Sequence, residues 1–241
     1  VLPWATFSAG ILGLGIMMGA AWAYESLNFG GYWAWDPVEN ASLVPWLVLV
    51  AGIHTCLIYR KKGTSLKATY LFFGLSFLLV LYSTFLTRSG ILGDTSVHAF
   101  TDLGMNAQLL GYLLIFVIPY FGLLIYRLKH LKEPQDEDEI SSREFWMLVG
   151  SLVLFLSAIV IIAITSIPVF NKIFGTKIAP PEDPAFAHNQ VQIFVAIIIG
   201  ILTAIGQYLK FKATSAENFI KNIKWPLIVT AVLSAIIFYF I

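Results

Sequence analysis

One stretch of the chain, residues 25–42 (ESLNFGGYWAWDPVENAS), gathers Phe29, Tyr32, Trp33 and Trp35 beside Gly30 and Gly31 and stops at Asp36-Pro37. Tyr24 and Trp46 flank it. Adjacent aromatic faces offer a stacking surface to a large flat π-system, and glycines let a ligand come close to the backbone. The stretch contains no Lys or Arg. A polyanion such as a nucleotide is therefore a poor fit, and a flat apolar ring with few charges is a good one. The same rings also satisfy a plainer reading, an aromatic belt at a membrane interface, and the residues by themselves leave both open.

Four histidines could bind a metal. His54 lies within an apolar run, VAGIHTCLIYR, six residues before Arg60, so roughly 9 Å of helix separates it from the first basic residue. An ionisable side chain at such a depth is costly and usually functional. A neutral imidazole there either bonds a neighbouring helix or serves as an axial ligand to haem iron. His98 sits between Val97 and Ala99-Phe100 in a loop, as a solvated residue or a ligand. His188 stands in a proline-rich stretch and is expected at the surface. His130 lies between Lys129 and Lys132 and belongs to a basic flank. Arg88 ends an apolar run, where it can snorkel to an interface or pair with a carboxylate. Asp36 and Glu39, as Asp-Pro-x-Glu, carry the signature of a helix cap rather than of acid–base chemistry. The lone Cys56 excludes an internal disulfide, and with no CxxC or CxxCH the chain is neither a thiol reductant nor itself a c-type cytochrome.

These residues must be positioned by membrane helices. Of 241 residues 58% are hydrophobic and only 12% charged, with a mean hydropathy of +0.80, against about 25% charged in a soluble domain. That excludes a disordered chain, a nucleic-acid binder with a basic surface and a typical soluble enzyme. Spans of roughly 20 apolar residues are expected near 4–24, 43–60, 66–86, 108–126, 146–167, 191–209 and 225–241. Period-two alternation is absent, which argues against a membrane barrel. The first span has no basic leading region and is too long for a signal peptide. The fold class is thus an all-α polytopic membrane protein of about seven transmembrane helices in a single domain, 1–241.

Twelve of the fifteen Lys and Arg fall in loops 60–67, 127–145 and 210–224 and its flanks. By the positive-inside rule the N-terminus is inside, and loops 25–42, 87–107 and 168–190 face the periplasm or exterior. The acidic run at 133–139 reads as a solvated linker. Pro168, Pro180, Pro181 and Pro184 disfavour helix, so 168–190 is expected to be an extended surface loop. Gly15, Gly19 and Ala23 form a small-residue ridge suited to close helix packing. The chain opens directly on a span without Met and is expected to be a fragment of a longer protein.

The run Phe29–Ser42, FGGYWAWDPVENAS, resembles the tryptophan-rich WWD motif of the haem-handling superfamily, whose branches are CcmF-type haem lyases, CcsA-type cytochrome c synthases and CcmC-type delivery proteins. The continuation DPVENASLVPWL, and the later run Phe85–Phe100 (FLTRSGILGDTSVHAF), are similar to the CcmF branch. Where the family usually has Trp, this chain has Phe29 and Tyr32, each keeping an aromatic face. The resemblance implies a membrane haem lyase component of cytochrome c maturation in the cytoplasmic (inner) membrane, with its active face periplasmic. Haem would lie on Phe29, Gly30, Gly31, Tyr32, Trp33, Trp35 and Asp36, its iron held by His98 and by a second histidine absent from this chain. His54 would ligate a separate haem b, again with a partner ligand from elsewhere, and Arg88 is a possible propionate partner. Apocytochrome c, presenting CxxCH, is the implied acceptor of the haem. A haem chaperone and thiol-handling proteins are the implied partners, with no nucleic acid. The alternatives are a haem delivery protein without lyase activity and, last, a cofactor-free transporter, which would need facing ionisable groups across several spans.

Overall fold

The computed structural model describes residues 1–26, 31–93, 95–96, 104–134 and 139–240. Eight helices follow one another: α1 (Leu2–Ser26), α2 (Pro37–Lys62), α3 (Leu66–Arg88), α4 (Asn106–Leu128), α5 (Arg143–Thr165), the short α6 (Ile167–Phe174), α7 (Pro184–Gly206) and α8 (Ala216–Phe240). Seven are long and apolar enough to cross a membrane, and no strand occurs among the described residues. The protein is a polytopic all-α membrane protein.

α2 is the hub. It packs against α1, α3 and α5; α3 carries α4, and α5 carries α6 and α7. Its core is apolar, with Val44, Val48 and Ala51 set against Phe72 of α3 and Leu154, Ala158 and Ile161 of α5. In lipid such contacts bring van der Waals packing rather than a hydrophobic drive, so helix-to-helix hydrogen bonds add specificity. Pro45 shows how. It has no N–H, so the carbonyl of Ala41 loses its helical donor, and the Ser83 hydroxyl of α3 donates to that oxygen instead. Ser76 of α3 likewise donates to the Pro45 carbonyl, at 2.9 Å. α2 stops at Gly63, whose φ of 85° is the left-handed cap that glycine adopts without strain.

Successive long helices from α1 to α5, and then α7, alternate in direction, which sorts the loops into two ends. At one end, Lys67 N–H donates to Glu133, Arg143 N–H to the Lys210 carbonyl and Lys212 N–H to both oxygens of buried Glu144. This is the basic end. At the other, Trp35 meets α7, and the Ser96 hydroxyl donates to Asp36. This is the aromatic end.

Two expectations are corrected. The stretch 168–190 is not one extended loop: α6 occupies Ile167–Phe174 and α7 begins at Pro184. Prolines break a helix only in its interior; in the first turn the missing N–H has no helical partner anyway, and that is where Pro168 and Pro184 stand. Of the expected ridge only Ala23 is buried; nothing lies within 4 Å of a Cβ built on Gly15 or Gly19. The close approach is at Gly13 instead, under the Trp46 indole, whose N–H donates to the Ala9 carbonyl at 2.9 Å.

Candidate functional site

At the aromatic end, Gly31, Tyr32, Trp33, Trp35 and Asp36 are described; Phe29, Gly30 and His98 lie outside the described residues. Gly31 has a φ of 62°. Tyr32 is exposed and stacks on Tyr24 at 4.3 Å between ring centroids. Asp36 caps α2: its side chain accepts from Val38 N–H at 2.8 Å, and Glu39 completes a capping box. The Asp-Pro-x-Glu reading therefore holds.

Trp35 has a φ of 56°, a left-handed conformation costly for a bulky side chain. Neighbours hold it on every side. Glu39 Oε2 accepts from the N–H groups of Ala34 and Asp36, which bracket it. Asn40 Nδ2 donates to the Trp35 carbonyl at 2.9 Å. The indole N–H donates to Asn189 Oδ1 at 2.8 Å, and the ring stacks on His188 at 4.8 Å and 13°. Trp33 stands at 90° to Trp35, 5.9 Å away. The two indoles are thus perpendicular rather than coplanar, and His188 covers one face of Trp35.

His188 corrects the expectation of a surface residue. It is 2% exposed and forms the back wall of Trp35. Asn40, His188 and Asn189 were not foreseen as site residues. The one available signal was Asp183-Pro184, the same cap-and-proline pattern that starts α2, which places His188 and Asn189 in the first turns of α7. His188 also lines a cavity of about 300 Å³ with Trp35, Asn40, Thr165 and Glu182. Arg88 is exposed in the last turn of α3.

His54 lies about five turns along α2 from Asp36. It is half-buried, and its Nδ1 is 2.9 Å from the Val50 carbonyl. That bond requires the proton on Nδ1, leaving Nε2 with a free lone pair, the tautomer a metal ligand needs. The residue faces an apolar cavity of about 1050 Å³ between α2, α5 and α7, which runs from Trp35 at one end to Lys61, Arg143 and Phe211 at the other. A cavity of that size takes a drug-sized or larger flat ligand. The donor set, one imidazole with a free nitrogen among apolar walls, fits haem. Among the described residues no cluster of three or more His, Cys, Asp or Glu side chains forms a metal site, and Cys56 is a half-buried free thiol.

Known proteins share this sequence pattern and fold. Residues 1–92 match the family model of the cytochrome C assembly protein. The chain is 35% identical to the cytochrome c-type biogenesis protein CcmF of Pseudomonas aeruginosa over 238 residues, which cover 97% of this chain and 35% of that protein. It is 39% identical to the cytochrome c-type biogenesis protein CycK of Rhizobium meliloti over 209 residues, 85% of this chain and 30% of the relative. A solved structure of the cytochrome c heme lyase CcmF superposes with a TM-score of 0.64 at 31% identity, covering 89% of this chain and 31% of that one. The chain spans about a third of the length of the curated relatives it matches. Over nearly all of its own length, and about a third of theirs, the chain is similar to the CcmF-type cytochrome c biogenesis proteins, in two motifs and in the solved structure's fold.

Proposed function

We propose that the chain is the haem-handling segment of a membrane haem lyase component that matures c-type cytochromes, with its basic end in the cytoplasm and its aromatic end in the periplasm. Twelve of fifteen basic residues at one end support that orientation. The observation that carries the reading is His54: an imidazole with a bare Nε2 inside an apolar cavity large enough for a porphyrin.

His54 would hold the iron of a b-type haem through its Nε2, the nitrogen that its Val50 bond leaves free. Bound there, that haem supplies the one-electron chemistry that keeps a transferred haem ferrous. At the aromatic end the haem to be attached is substrate. Trp33 and Trp35, at right angles and with His188 backing one Trp35 face, would wall the site where it binds. His98 supplies an axial ligand there. Thiols of a reduced CxxCH peptide then add across the haem vinyl groups, and the protein contributes positioning. Apocytochrome c, a haem chaperone and thiol-handling proteins are the partners.

The test is a reduced-minus-oxidised spectrum of the purified full-length protein and its His54→Ala and His98→Ala variants. His54→Ala abolishes a low-spin b-type signal, whereas His98→Ala keeps it and impairs capture of external haem. An unchanged spectrum in His54→Ala removes that residue from the mechanism. Haem bound with no thioether formed, in the presence of every partner, reassigns the protein to haem delivery.

A further inference from the structure

The cavity that His54 faces is not uniformly apolar. At its basic end two cations converge on the Phe211 ring: Lys61 Nζ at 5.8 Å and the Arg143 guanidinium at 5.3 Å from the centroid. Both line the same cavity as His54. Arg143 spends two N–H groups on the Gly206 and Gln207 carbonyls, tying α5 to the end of α7, and a guanidinium has further donors left in its fork. Lys61 contributes its ammonium to that ring and, among the described residues, holds no helix ends together.

The register is informative. Lys61 is seven residues after His54 on α2, so it lies on nearly the same helix face two turns further, about 10 Å along the axis. That is the order of distance from a porphyrin's iron to its carboxylates. Apolar walls, an imidazole with a free nitrogen partway down and two cations at one end describe a site for a flat amphipathic molecule with a ligatable metal and an anionic edge.

We infer that Lys61 and Arg143 bind the propionates of the haem that His54 ligates, fixing its carboxylate edge toward the basic end. The inference rests on the His54 reading above. Guanidinium grips a carboxylate with paired N–H donors, and the ammonium adds a point charge. Both also stand where anionic lipid headgroups could reach, and the test separates the two sources.

Full-length protein produced under haem limitation is titrated with hemin and with hemin dimethyl ester, whose propionates carry no charge, and the low-spin Soret band is followed. The unsubstituted protein prefers hemin by about tenfold or more, the fold-change expected of a charge-assisted hydrogen bond. Lys61→Gln weakens hemin binding by about that factor and leaves the ester unaffected, and Lys61→Arg restores the preference. Lys61→Gln is the informative variant because Arg143 also joins two helices. If Lys61→Gln weakens both ligands equally or neither, Lys61 faces lipid and the inference falls. If His54→Ala leaves the hemin titration unchanged, the His54 reading itself falls and takes this one with it, an outcome distinct from a lost preference for charge.

Discussion

Replacing His188 and Asn189 together with alanine should release Trp35. The magnitude follows from the contacts that hold a left-handed tryptophan in place. A φ of 56° at Trp35 costs on the order of 1–3 kcal/mol. Against this stand the indole N–H bond to Asn189 at 2.8 Å, worth about 1 kcal/mol, and the His188 stack at 4.8 Å, worth about 0.5–1.5 kcal/mol. The Asn40 bond to the Trp35 carbonyl at 2.9 Å adds about 1 kcal/mol. The double alanine variant removes roughly 2 kcal/mol of this and leaves the Asn40 and Glu39 bonds against the strain. The amides of Ala34 and Asp36, both bonded to Glu39, bracket Trp35 and report on it. Hydrogen exchange over residues 31–37 should accelerate by about 5- to 30-fold, while exchange in the middle of α2 stays unchanged. His188→Phe with Asn189→Asp, which keeps a stacked ring and an acceptor, should retain protection. Capture of external hemin should fall with the same ranking. Unchanged exchange at Ala34 and Asp36 in the alanine variant, with α7 still protected, would refute the clamp.

Two further predictions concern the scaffold. Ser83→Ala leaves the Ala41 carbonyl, already deprived of its donor by Pro45, without a partner; it should cost about 1–3 kcal/mol, and a thermal-unfolding cycle should show that cost shrinking when Pro45→Ala restores an N–H. Gly74 lies directly under the Tyr120 ring, whose hydroxyl donates to the Tyr70 carbonyl at 2.7 Å. Gly74→Ala should therefore loosen α3 from α4 and lower the unfolding temperature, whereas Gly111→Ala, with nothing within 4 Å, should not.

The helices were legible because lipid-spanning segments declare themselves by length. The span expected at 66–86 is α3 at Leu66–Arg88, and that at 108–126 is α4 at Asn106–Leu128. The second span was foreseen too short, because α2 begins with the polar turn Pro37–Asn40, which is anchored by its capping box rather than by hydropathy. The region 168–190 departs from expectation for a related reason: Pro168 and Pro184 stand in first turns, where proline does not break a helix. Asp183-Pro184 starts α7 as Asp36-Pro37 starts α2, and the signal was recognised only once. The site was half legible. The aromatic loop, Asp36 and His54 are local in sequence. The indole's hydrogen-bond partner Asn189, however, lies 154 residues away in the chain, and no spacing or composition links it to a tryptophan that far upstream. Likewise the perpendicular setting of Trp33 and Trp35 comes from a left-handed backbone that nothing in YWAWDP announces.

α7 is a single uninterrupted helix from Pro184 to Gly206. Its first turns brace the tryptophan loop, its middle walls the chamber that His54 enters, and its end is gripped by Arg143. A stiff rod fixed at three such points behaves as a lever. The same helix thus sets both the position of the indole's partners and the width of the chamber, so one element's placement decides the shape of both compartments.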